Sequence, residues 1–126
     1  MQDQDKFPKT TGEAPPWVAI LIASDRLGEG DEELGKKLMK GFIKVIPELD
    51  QKPECMIFIN GGAHFVAEGS EVIEVLKGLE KNGVQILTCG TCLDHFRLKD
   101  KVAVGNVSNM LEIASTLASA DRVVRP

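Results

Sequence analysis

The chain has 126 residues, 43% hydrophobic and 27% charged, with a formal net charge of −4 at pH 7. That is the balance of one globular domain, and it excludes a fibrous repeat and the basic face on which binding to nucleic-acid phosphates depends. It also disfavours an anionic membrane surface, and no apolar stretch approaches the roughly 18–20 residues that span a bilayer.

Residues 1–16 are polar and close on Ala14-Pro15-Pro16, which predicts a flexible or extended lead-in, with residues 17–126 forming a single domain. The first residues lack the charged-then-apolar order of a secretory signal, so the expected location is the cytoplasm, where cysteines stay reduced. Residues 17–23 are a continuous apolar run, as expected of a strand buried on both faces. After a loop, Asp31 is placed to cap a helix with Glu32 and Glu33 in its first turn. Leu34, Leu38, Phe42 and Ile46 recur at helical spacing and define its expected buried face, and Pro47 ends it. Residues 55–59 read as a second buried strand running into Asn60-Gly61-Gly62. Ser70 is expected to cap a second helix, with Val72, Ile73, Leu76 and Leu79 facing the core and Gly83 as its stop.

A third strand over residues 84–88 leads directly into Cys89-Gly90-Thr91-Cys92, followed by a short helical piece. A fourth strand is expected at residues 102–104, ending at Gly105. Ser108 then caps a last helix whose apolar residues are Met110, Leu111, Ala114, Leu117 and Ala118, and residues 122–124 supply a fifth strand. Alternation of this kind predicts a three-layer, flavodoxin-like α/β domain with a mostly parallel five-stranded sheet and helices on both faces.

In such sheets the crevice lies beyond the carboxyl ends of the strands. Three loops leave those ends with candidate residues: 24–30, 60–63 and 89–95. The Gly28-Glu29-Gly30 loop is a poor phosphate cradle, because Asp25, Glu29, Asp31, Glu32 and Glu33 crowd it with negative charge; a turn and helix start is its expected use. Asn60 and Gly61 are expected to bring backbone close to a neighbouring loop or a ligand. The third loop is the most specific. A CxxC places two sulfurs where they exchange a disulfide or pass a sulfur between them.

With Thr91 as N-cap, Cys92 falls in the first turn of a helix, where unpaired N–H groups favour its thiolate by about 0.3–1 kcal/mol or more. Gly90 and Thr91 supply further loop amides, and His95, one turn after Cys92, is a candidate proton partner. Cys89, Cys92 and His95 also form a C-x-x-C-x-x-H string, but a closed zinc site needs a fourth ligand that only Cys55 or His64 could supply, so no metal or other cofactor is expected. Cys55 is expected to be a small core residue.

Leu87-Thr88-Cys89-Gly90-Thr91-Cys92-Leu93-Asp94, followed by Leu98-Lys99-Asp100-Lys101 and Val104-Gly105, resembles the DsrE-like family. It is most similar to the C-terminal DsrE-like domain of YedF-type, sulfurtransferase-like selenium-metabolism proteins. Residues 27–35, Phe58-Ile59-Asn60-Gly61-Gly62 and Asn109-Met110 extend the resemblance over residues 17–126. It implies a flavodoxin-like fold, a homo-oligomer, and a cysteine after the third or fourth strand that carries a persulfide, a role that falls on Cys89; Cys92 matches the additional cysteine of the YedF-like subgroup. The implied partners are donor and acceptor proteins of sulfur or selenium. YedF-type proteins usually carry an N-terminal TusA-like domain with a Cys-Pro-x-Pro motif, absent from this sequence; residues 1–16 resemble the linker after it, and a TusA-like domain becomes an expected separate partner. The readings that compete with a carrier are a dithiol redox protein and a binding module without chemistry.

Overall fold

The computed structural model describes residues 15–126, and of the expected lead-in residues 1–14 lie outside them. Its elements are β1 (Val18–Ile22), α1 (Glu32–Val45), β2 (Cys55–Phe58), α2 (Ile73–Lys81), β3 (Gln85–Cys89), α3 (Gly90–His95), β4 (Asn106–Ser108), α4 (Met110–Ser119) and β5 (Arg122–Val124). Short 3₁₀ segments occupy Ile46–Glu48, Asn60–Val66 and Lys99–Lys101. All five strands pair parallel, in the order β4-β3-β2-β1-β5. The central strand β2 is buried along its whole length, which is why it reads as an unbroken apolar run.

Strands β1 to β4 step one way across the sheet, and β5 returns to the far side of β1. Right-handed crossovers therefore lay α1, α2 and α3 on one face and α4 on the other. The larger core joins Met39, Ile43, Leu76, Leu79 and Leu93 to Ile20, Ile22, Met56, Phe58 and Ile86. The smaller one, under α4, joins Ile113 to Cys55, Ile57, Leu87 and Cys89. Because the chain leaves β3 for one face and its neighbour β4 for the other, a crevice is required at their carboxyl ends.

The expected fold class is the observed one, and Asp31 caps α1 by accepting the Leu34 N–H at 2.7 Å. Several local expectations are corrected. The core face of α1 is Gly35, Met39 and Ile43, while Leu34 and Leu38 are exposed. The Leu27 N–H bonds to the Gly35 carbonyl at 3.0 Å, which ties the start of the helix to the preceding loop and turns Leu34 outward. The second helix starts at Ile73, and the Ser70 hydroxyl accepts the Val72 N–H at 3.3 Å within the turn before it.

The fourth strand is Asn106–Ser108, not 102–104. Val102 bridges antiparallel to Ala67, and the Ala103 N–H bonds to the Val66 carbonyl at 2.8 Å. The earlier apolar triplet is thus held against the 60–67 segment, and Gly105 turns the chain into the sheet. The cap of α4 is Asn109, whose side chain accepts the Glu112 N–H at 2.8 Å. Ser108 instead donates to the Glu112 carboxylate at 2.6 Å. Of the expected apolar face of α4, Leu117 is half-buried while Met110, Leu111, Ala114 and Ala118 are exposed; Ile113 alone is fully buried.

Candidate functional site

Cys89 is the last residue of β3 and pairs in register with Ser108, the last residue of β4, so it stands in the crevice that the topology demands. No loop separates strand from helix. Cys89 has extended backbone (φ −63°, ψ 123°) and is itself the N-cap of α3, which begins at Gly90. Thr91 therefore lies inside the helix and does not cap it. Gly90 is buried between the strand ends: a Cβ there would come within 3.2 Å of both the Ser108 carbonyl oxygen and Val107 Cγ1. A side chain there would press on the edge strand β4, so glycine suits the turn from β3 into α3.

This placement reverses the expected electrostatics of the pair. Cys89 is only 3% exposed, and burial pushes its thiol up. The backbone and side-chain groups of Cys92 and Thr91 point their hydrogens toward its sulfur, outweigh that penalty and bring the thiol below its ordinary value. The arrangement falls short of the tight bond an oxygen cap would make, as suits the larger sulfur; its effect is electrostatic. Cys92 moves the other way. Burial raises it, the Asn60 amide opposes, and the side chain and charge of Cys89 raise it further, so the sum is upward. The two shifts order the pair: Cys89 is the more readily ionised thiol and Cys92 the less.

The loop after β2 reaches the same sulfurs. The Asn60 N–H donates to Cys92 Sγ at 3.1 Å, from a left-handed backbone with φ 50°. Gly61 lies against the backbone N of Asp25, and Gly62 against the Ile22 carbonyl so closely that a Cβ would overlap it. The glycine pair thus brings the backbone against the loop after β1.

His95 is exposed on α3, with its ring edge-on to Phe96 at 5.1 Å between centroids, and among the described residues it hydrogen-bonds neither cysteine. His64, considered above only as a fourth zinc ligand, packs its ring at 4.5 Å from that of Phe96, and its Nδ1 lies 3.2 Å from the Gly61 carbonyl oxygen. Ser108 was also missed as a neighbour of Cys89, since strand register is invisible in one sequence. Cys55 is wholly buried in the smaller core; burial first, then the charge of Glu112, push its thiol up to about 11. Among the described residues no group of three or more His, Cys, Asp or Glu side chains could hold a metal ion, and no helix is long and apolar enough to cross a membrane.

A family model described as "DsrE/DsrF-like family" matches residues 31–126. Two solved structures share the fold. The YchN protein from E. coli superposes with a TM-score of 0.67 at 14% identity, covering 89% of this chain and 100% of that one. Protein MTH1491 from Methanobacterium thermoautotrophicum, described as of unknown function, gives 0.63 at 18% identity with the same coverage of 89% and 100%. No curated protein matches the chain.

Proposed function

The chain belongs to the DsrE/DsrF-like family, which is associated with sulfur relay, and we propose that it is a carrier of sulfane sulfur, or of its congener selenium, loaded on Cys89. The observation that carries this reading is the position of Cys89: a thiol held below its ordinary value, at the crevice between β3 and β4, with hydrogen-bond donors around its sulfur. The same donors suit the terminal anion of a persulfide. The residues 87–94 further support membership of the YedF-type subgroup, through the second cysteine.

In the loading step the Cys89 thiolate attacks the outer sulfur of a donor persulfide. A new S–S bond forms on Cys89, the donor's S–S bond breaks, and the donor leaves as a thiol carrying the proton of the persulfide. Transfer to an acceptor thiolate repeats the exchange in reverse. Cys92 stands ready as a second exit: its attack on the inner sulfur of the Cys89 persulfide releases hydrosulfide and closes a Cys89–Cys92 disulfide. Gly90, Thr91, Asn60 and Gly61 shape the pocket of amides around the pair, and His95 is the solvent-side proton partner.

The proposal carries a setting with it: a cytoplasmic location, a TusA-like domain as exchange partner, and assembly of the chain with copies of itself. Exposed Val107, Met110 and Leu111 lie on β4 and the start of α4, next to the Cys89 crevice, and support a contact surface there.

The test is mass spectrometry of the intact protein and of the peptide holding Cys89 and Cys92, after incubation with inorganic polysulfide and alkylation with and without reductant. The expected result is a reductant-labile gain of one sulfur on Cys89. Loss of two hydrogens alone would assign dithiol redox chemistry instead, and an unchanged mass would leave a binding module.

A further inference from the structure

A cavity of about 360 Å³ opens beside Gly61, on the edge of the sheet that bears the cysteines, but neither cysteine lines it. Its volume is at the lower end of the roughly 300–1,000 Å³ typical of small-molecule sites. Phe65, Ala67 and Leu98 give it an apolar floor. The walls are charged, with both signs present. Lys36 and Lys40 stand one turn apart on α1, Lys40 reaching across to the Glu71 carboxylate at 3.2 Å. Asp25 stands on the loop after β1, its carboxylate against Gly61.

A chain of contacts connects the cavity to the Cys92 sulfur. Asp25 touches Gly61, Gly61 follows Asn60, and the Asn60 N–H is bonded to Cys92 Sγ at 3.1 Å. His64, which forms part of the wall, belongs to the same 3₁₀ segment as Asn60. At about 2 Å rise per residue the two are separated by about 8 Å along its axis. An extended tripeptide is about 10 Å long, comparable to that separation.

We propose that this cavity binds a small zwitterionic thiol, a cysteine-containing peptide bearing both ammonium and carboxylate groups, and that the persulfide of this thiol is what loads Cys89. The inference rests on the carrier reading above and names its donor. Mixed wall charge selects for a ligand with both signs: a polyanion would meet Asp25, Glu68 and Glu71, and a cation would meet Lys36 and Lys40. The ion pairs now in place are solvent-exposed, and such pairs contribute little, so a ligand carboxylate exchanges onto the lysines at small cost. The apolar floor holds the peptide's aliphatic part. The reaction is the exchange already written: Cys89 gains the outer sulfur, and the peptide departs as its thiol with the proton.

Two measurements test this on the full chain. In the first, S-methylglutathione, which is zwitterionic but cannot transfer sulfur, is titrated into ¹⁵N-labelled protein. The expected shifts fall on the amides of Gly69, Ser70, Glu71 and Leu98, and are lost in the double variant Lys36→Ala with Lys40→Ala. In the second, Cys89 is loaded from glutathione persulfide or from inorganic polysulfide. The double variant should load about tenfold more slowly from the former, through loss of charge-assisted bonds, and at the wild-type rate from the latter. Equal loading of wild type and variant by glutathione persulfide, or shifts away from the cavity, would overturn the inference while polysulfide loading keeps the carrier reading intact. Failure of both donors to load Cys89 would sink the carrier reading, and the titration would still decide whether the cavity binds the peptide.

Discussion

Asn60 donates its backbone N–H to the sulfur of Cys92 across 3.1 Å, and it does so from a left-handed conformation with φ 50°. Asparagine tolerates that region better than most residues, whereas a β-branched side chain is strained there by about 1–2 kcal/mol. Asn60→Val is therefore expected to lower stability by that amount and to pull the amide off the sulfur. Since that amide holds the Cys92 thiol down against burial, the pH midpoint for alkylation of Cys92 should rise. Asn60→Gly keeps the N–H and the conformation, so its midpoint and its melting temperature should stay at the wild-type values. A Cys92 midpoint equal in wild type, Gly and Val variants would show that the bond does not govern this thiol.

The two cysteines of the CxxC should titrate in opposite directions from an ordinary thiol, Cys89 below and Cys92 above. Access to Cys89 is narrow, so the informative quantity is the pH midpoint of its alkylation by iodoacetamide, followed peptide by peptide, and not the rate at one pH. Cys92→Ala removes a hydrogen-bond donor from the Cys89 sulfur, and the Cys89 midpoint should rise. Cys89→Ser removes the charge that opposes ionisation of its neighbour, and the Cys92 midpoint should fall. Midpoints that both move upward would mean that burial alone sets them.

Two glycines hold the site's strands and loops at their distances, and they should differ in what their loss does. A Cβ on Gly62 would overlap the Ile22 carbonyl oxygen, which belongs to a buried strand and has nowhere to go. Gly62→Ala should cost about 3 kcal/mol or more, the upper range for overpacking. A Cβ on Gly90 needs only a few tenths of an ångström from Val107 and Ser108 on the edge strand β4. Gly90→Ala should cost about 1 kcal/mol and should move the Cys89 midpoint, because it shifts the strand against which Cys89 is registered. Urea denaturation of both variants, with the alkylation profile of the second, checks this.

The layer architecture was legible because it rests on strong local signals: apolar runs for the buried strands, the Asp31 cap, Gly83 as a stop, and strict alternation of strand and helix. What the sequence hid depends on tertiary partners. Residues 102–104 look more like a strand than Asn106–Ser108, and only the bonds to Val66 and Ala67 explain why the shorter, more polar segment joins the sheet. Thr91 and Ser108 have the chemistry of helix caps, yet each sits one or two positions from the true cap, so Cys89 and not Cys92 stands just before the first turn of α3. Leu34 and Leu111 mark the limit of periodicity. Both fit an apolar helical stripe, and both face solvent because the buried faces of their helices run through Gly35, Met39 and Ile43 and through Ile113.

Cys55 supplies the last expectation, and it concerns stability instead of chemistry. Its side chain is wholly buried at the start of β2 beneath α4, and burial together with the charge of Glu112 pushes its thiol up to about 11. In the unfolded chain a thiol ionises near ~8.5. The folded value is the raised one, so this group's stabilising contribution is fully present below about pH 8.5 and is lost as pH rises toward 11. Over that window the unfolded chain releases a proton that the folded chain retains, with a ceiling of about 3 kcal/mol for the whole shift. Urea unfolding at pH 8 and at pH 10.5 should therefore show a larger loss for wild type than for Cys55→Ala, even though the alanine variant starts lower because of the cavity it creates. Glu112→Gln, which keeps an acceptor for the Ser108 hydroxyl but removes the charge, should fall between them. An identical loss in all three proteins would show that the buried thiol does not titrate with unfolding.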